Sequence, residues 1–122
     1  MSTLLLITSA PTSIHAWHAL GLAQALHAKK QEFRVFFYQD GVSVANQLQW
    51  FPDDQRNVCS EWQKLAIRLP VCVSAALARG ITDLENAKRH QISTHNLAEG
   101  FELVGLGELA DAVESCDRLL QF

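Results

Sequence analysis

The chain has 122 residues, enough for one domain that buries a real core without staples. Its 48% hydrophobic and 19% charged residues are ordinary for a globular protein, and no apolar run nears the roughly 20 residues that span a bilayer. Net charge is −3 with no basic stripe; this argues against direct nucleic-acid binding, because neutralising phosphates takes clustered Lys and Arg.

Thr3 to Ser9 reads as a continuous apolar strand, closed by the turn-like Ala10-Pro11-Thr12-Ser13. Ala16, Ala19, Leu22, Ala23 and Leu26 then fall at helical spacing, and Lys29-Lys30 suit the C-terminal end of that helix. Phe33 to Tyr38 is a second strand. Asp40 is placed to cap a short helix through Val42, Val44 and Ala45 that ends near Leu48. Residues 49–57 carry no period and read as a loop, in which Trp50 and Phe51 either face a partner or fold back onto the domain. A helix from about Val58 to Leu69 presents Trp62, Leu65, Ala66 and Leu69 on one face.

The apolar run Leu69-Pro70-Val71-Cys72-Val73 gives a third strand ending at Cys72, and Ser74 to Gly80 read as a helix with its cap and stop. Thr82-Asp83-Leu84-Glu85 has the form of a capping box, and Lys88-Arg89-His90 suit the far end of the helix it opens. Phe101 to Val104 is a fourth strand. Leu106, Leu109, Ala110 and Val113 make a last helical stripe, and Arg118 to Phe122 a last strand. Strands alternating with helices predict an α/β fold: a single domain over residues 1–122, with a mostly parallel sheet of about five strands flanked by helices. In such sheets sites form beyond the carboxyl ends of the strands, where Ser9 to Ser13, Tyr38 to Gly41 and Cys72 to Ser74 converge.

Cys72 carries the functional question. A thiol where a strand gives way to a helix lies near the helix's positive end, which favours the reactive thiolate. Buried in mid-strand it would be an inert small hydrophobe, and composition alone leaves both descriptions open. Cys59 falls in a segment read as surface, and Cys116 follows the last helix as a packed residue. Three cysteines without metal-type spacing argue for reduced thiols in the cytoplasm, and the start of the chain lacks the basic region of a signal peptide. His15 and His18 are three apart but have no further metal ligands at suitable spacing, so they read as helix-surface residues. His90 and His95 could serve Cys72 as a base only if the fold seats them beside it. Asp40-Gly41 lacks the glycine pattern of a phosphate-binding loop and reads as a turn. The acidic last quarter (Glu99, Glu102, Glu108, Asp111, Glu114 and Asp117, opposed there by Arg118) reads as a solvated face or as a match for a basic partner.

Three segments together resemble the TusD/DsrE family of intracellular sulfur-transfer proteins. They are Val35-Phe36-Phe37-Tyr38-Gln39-Asp40-Gly41-Val42 with Ala45-Asn46-Gln47-Leu48, then Val71-Cys72-Val73-Ser74-Ala75-Ala76-Leu77-Ala78-Arg79-Gly80, then Asn96-Leu97 onward, with Gly105-Leu106-Gly107 and the closing Cys116-Asp117-Arg118-Leu119-Leu120-Gln121-Phe122. The resemblance implies a DsrE-like, Rossmann-like fold and a sulfurtransferase that needs neither cofactor nor metal. In it Cys72 carries sulfane sulfur as a persulfide. From their place at the helix start behind Cys72, Ser74 and the amides that follow it (Ala75 among them) would help hold the anion, and Arg79 would give it electrostatic support. The resemblance further implies a heterohexamer with TusB-like and TusC-like paralogues, a TusA-like donor and a TusE-like acceptor, on a route to 2-thiolation of the tRNA wobble uridine. The loop Ala10-Pro11-Thr12-Ser13 departs from the family by lacking its Gly and Tyr. The stretch from Trp62 to Cys72 is also shorter than usual, and Trp50-Phe51 replaces smaller residues. Other readings are a non-catalytic subunit of a hetero-oligomer, a relay in dissimilatory sulfur oxidation, and a small-molecule-binding module.

Overall fold

The computed structural model describes all 122 residues, Met1 to Phe122. Five parallel strands form one sheet: β1 (Thr3–Ile7), β2 (Phe33–Phe37), β3 (Leu69–Cys72), β4 (Phe101–Val104) and β5 (Arg118–Gln121), in the order β4-β3-β2-β1-β5. The helices are α1 (Ile14–Ala28), α2 (Val58–Lys64), α3 (Val73–Ala78), α4 (Leu84–Arg89) and α5 (Leu106–Ser115), and a 3-10 segment spans Gln39–Ala45. The steps from β1 through β4 all move the same way across the sheet, whereas β5 returns to the far side of β1. Right-handed crossovers therefore place the connections of β1 through β4 on one face and α5 on the other.

Strands covered on both faces read as unbroken apolar runs. Leu4, Leu5, Ile7, Val35, Phe36 and Phe37 are all buried, as the runs in β1 and β2 demand. Phe37 meets Trp62 of α2 edge-on, ring centroids 5.2 Å apart, and Phe101 of β4 at 5.7 Å. Such aromatic pairs contribute about 1 kcal/mol each beyond the area they bury. At the edge of β1 the Thr8 amide and hydroxyl both donate to the Phe122 carbonyl, at 2.8 and 2.9 Å, tying the last strand to the first.

Local chemistry moves several boundaries from the predicted ones. The helix predicted to reach Leu69 stops at Lys64, and Ala66 takes a left-handed φ of 53°. Leu69 precedes Pro70, whose ring disfavours a helical Leu69, so the chain turns early and Leu69 enters β3. The helix predicted after Asp40 is a 3-10 segment, and Asp40 does not cap it. At α4 the cap falls one residue later than the predicted box. Asp83 accepts from the Asn86 amide at 2.8 Å and from its side chain at 2.9 Å, while the Thr82 hydroxyl is turned to the Asp83 carbonyl. Asp83→Ala is accordingly expected to lower stability by about 1 kcal/mol, the usual worth of such a cap, as a lower midpoint in urea unfolding.

The acidic last quarter is partly paired. Arg68 engages Glu102 and Glu108, and the Ser2 amide donates to Asp117 at 2.8 Å. Those carboxylates hold the Arg68 guanidinium above its ordinary range. In the loop after the 3-10 segment Phe51 packs against the core, whereas Trp50 is 81% exposed.

Candidate functional site

Cys72 is the last residue of β3 and the residue from which α3 starts; it occupies the cap position and makes no side-chain capping bond. The predicted strand-to-helix switch is therefore present. The cap lies at Cys72, with Val73 as the first helical residue, rather than at Ser74. α3 is short, ending at Ala78 with Arg79 as its C-terminal cap, and is followed by Gly80 at φ 75°, a left-handed turn that glycine adopts without steric cost.

A cavity of about 290 Å³ opens at this point, lined by Tyr38, Gln39, Cys72, Ser74, Ala75, Arg79 and Leu106. The sheet order explains the lining. β3 lies between β2 and β4, so the segment leaving β2 supplies Tyr38 and Gln39, and the segment leaving β4 supplies Leu106. Ser9 to Ser13, predicted to share the site, leave β1, one strand too far from β3 to reach Cys72. Leu106 is the lining residue that the sequence reading missed. It opens a helix after the fourth strand, so the rule that sites collect at carboxyl ends pointed to it.

Cys72 itself is 1% exposed and belongs to the core cluster, yet it lines the cavity. Its body packs in the sheet, paired in register with Val104, and it forms part of the cavity wall. Ser74 is exposed on the rim and Ala75 half-buried beside it. Gln39 lines the same space with φ 51°, a left-handed conformation that non-glycine residues rarely adopt and that is found where a surrounding structure enforces it. Two residues on, Gly41 brings the chain against β1. A Cβ at this position would lie 2.1 Å from the Ile7 carbonyl oxygen, so the 3-10 segment sits closer to β1 than any side chain allows.

Arg79 crosses the rim, where its Nη1 donates to the Ala75 carbonyl at 3.0 Å. Its Nε and Nη2 donate to Asp40 Oδ1 at 3.2 and 2.9 Å. Neither His90 nor His95 lines the cavity, so the fold does not bring them to Cys72. His15 and His18 stack edge-on at 6.4 Å, both exposed on α1.

Neither of the other thiols lines the cavity. Cys59, read from sequence as a surface residue, is buried to 7% exposure in the core, and burial pushes its thiol up from 9.0 to about 11. Its stabilising contribution is complete below pH 9 and is lost as pH rises toward 11, because there the unfolded chain releases the proton more readily. Stability is thus expected to fall over that window, and Cys59→Ala should flatten the slope in denaturant titrations at stepped pH. Cys116 is half-buried against the core, as predicted, with its Sγ donating to the Val113 carbonyl at 3.3 Å.

The model of the DsrE/DsrF-like family matches residues 1–122. The chain belongs to the DsrE/DsrF-like family. Within it, the chain is 46% identical over 109 residues to "Sulfurtransferase TusD" of Pectobacterium carotovorum subsp. carotovorum (strain PC1), covering 85% of this chain and 84% of that protein. It is 44% identical over 115 residues to the protein of the same name from Erwinia tasmaniensis, covering 90% of each. The crystal structure of the ychN protein from E. coli superposes with a TM-score of 0.78 at 26% identity over the whole of both chains. The predicted family and the parallel α/β fold are both borne out.

Proposed function

We propose that this member of the DsrE/DsrF-like family is a sulfur carrier, in which Cys72 accepts sulfane sulfur as a persulfide and passes it to a partner protein. The observation that carries the reading is the position of Cys72, the one cysteine lining a cavity at the carboxyl edge of the sheet, in a chain whose relatives are named sulfurtransferases. In the first half-reaction the Cys72 thiolate attacks the outer sulfur of a donor persulfide. The donor S–S bond breaks as the new one forms, the donor leaves as a thiolate, and the proton of its persulfide stays on the transferred sulfur or passes to solvent. No net oxidation occurs and no co-reactant is consumed. The second half-reaction is the same exchange with an acceptor thiolate attacking the Cys72 persulfide.

Ser74 and Ala75 line the cavity, which supports giving their hydroxyl and amide the task of donating to the transferred sulfur. The partners that suit this chemistry are TusB-like and TusC-like paralogues in a heterohexamer, a TusA-like donor and a TusE-like acceptor. The tRNA wobble uridine is the final destination. Sulfur that moves between proteins spares the carrier any RNA contact, in keeping with a surface that has no basic stripe. Three free thiols support placing the chain in a reducing compartment, the cytoplasm.

The near-complete burial of Cys72 favours a second reading, a non-catalytic subunit that completes an oligomer. Intact mass after incubation with a cysteine desulfurase, cysteine and a TusA-like donor separates the two. The carrier gains one sulfur atom that a reductant removes. A chain that gains none, alone or with its paralogue subunits reconstituted, is the non-catalytic subunit.

A further inference from the structure

Arg79 is the one formally charged side chain lining the Cys72 cavity at neutral pH, and three hydrogen bonds fix it there. Two of them end on Asp40, 39 residues earlier, in the 3-10 segment that Gly41 seats against β1. The pair is exposed, 34% for the Arg79 side chain and 68% for Asp40. Exposed ion pairs contribute little to stability, so stability does not account for a guanidinium held so firmly at this rim. A fixed charge at the mouth of a cavity acts instead on whatever enters it.

We propose that Arg79 and Asp40 form a charge-selecting rim for Cys72. Arg79 favours the entry of an anionic sulfur group, and Asp40 is a positioning residue that holds the guanidinium over the mouth and damps its charge. The chemistry gives the rim its task. When a thiolate attacks a persulfide, one negative charge spreads over three sulfurs in line, and a planar cation beside them offsets it without becoming a proton donor. The natural substrate this implies, a protein persulfide, rests on the carrier reading, but the rim charge can be tested without sulfur transfer.

The test is the rate of Cys72 alkylation by iodoacetate, an anion, and by iodoacetamide, its neutral counterpart, followed at Cys72 by peptide mass mapping. Both reagents consume the thiolate, so their ratio cancels any change in how much thiolate is present. Arg79→Gln is expected to lower the anionic-to-neutral ratio by roughly threefold, and Asp40→Asn to raise it by a similar factor, the size of effect that one charge about 6 Å from the reacting sulfur has in water. Both effects should shrink in about 0.5 M salt. In denaturant, where the rim is gone, the three chains should give one common ratio. A folded-state ratio that neither substitution moves overturns the proposal, as does a Cys72 that neither reagent reaches in the folded protein. Failed sulfur loading beside an intact rim effect overturns the carrier reading and leaves the rim standing.

Discussion

Cys72→Ser is expected to abolish sulfur loading while the protein remains folded. A serine hydroxyl offers no thiolate near neutral pH, so the attack on a donor persulfide has no nucleophile. The substitution keeps the size of the side chain at a position paired with Val104 in the sheet. It places a hydroxyl where a thiol was buried, at a cost of about 1–2 kcal/mol, which a lower melting temperature should register without loss of cooperativity. Neither remaining thiol can take over. Cys59 does not line the Cys72 cavity, and burial raises its thiol to about 11. Cys116 precedes β5, at the amino edge of a parallel sheet, whereas Cys72 ends β3 at the carboxyl edge. A strand of this length separates those edges by roughly 13 Å. Loading should therefore survive in a Cys59→Ala/Cys116→Ser double variant and vanish in Cys72→Ser, as read by intact mass before and after reductant. Sulfur retained on Cys72→Ser would remove Cys72 from its role.

The contrast between these three cysteines shows what a sequence displays and what it withholds. β1 and β3 were legible because burial on both faces writes them as unbroken apolar runs, and Cys72 because the third strand ends at it, whereas β4 and β5 lie at the sheet edges with much of their length at least partly exposed. Cys59 was misread although its signal was present: it stands three residues before Trp62 on α2, on the same buried face, with Val58 beside it. The early end of α2 was signalled by Leu69-Pro70, whereas the left-handed turn at Ala66 had no local sign. The cavity was half legible. Tyr38, Gln39, Ser74 and Ala75 follow strand ends, as the general rule requires, but which strand ends meet depends on sheet order, which residue types do not encode. Arg79 was picked out by its place behind Cys72, but its bond to Asp40 joins the end of α3 to the 3-10 segment through the fold alone.

Gly41→Ala is expected to be among the most damaging single-atom additions in this chain. The requirement for glycine here is one of space, because the added carbon would lie 2.1 Å from the Ile7 oxygen and 2.8 Å from the Ile7 carbon. Those are backbone atoms of β1, and they cannot swing aside as a flexible side chain would. The same Ile7 oxygen accepts the Tyr38 amide at 2.9 Å, and Gly41 itself donates to the Tyr38 carbonyl at 2.9 Å. Relief must therefore lift the 3-10 segment away from the sheet, breaking these bonds and drawing Val42, Val44 and Ala45 out of the core. Overpacking of this kind costs about 3 kcal/mol, which for a domain of this size lowers the melting temperature by roughly 10 °C. Because Asp40 and Gln39 ride on the displaced segment, the variant should also lose the Asp40–Arg79 bond and open the Cys72 cavity. The anionic-to-neutral alkylation ratio at Cys72 should then move toward its denatured-state value at temperatures where the protein is still folded. A Gly41→Ala protein that melts within about 2 °C of the parent would show that the segment yields without cost, and that Gln39 and Asp40 are not held by the close approach to β1.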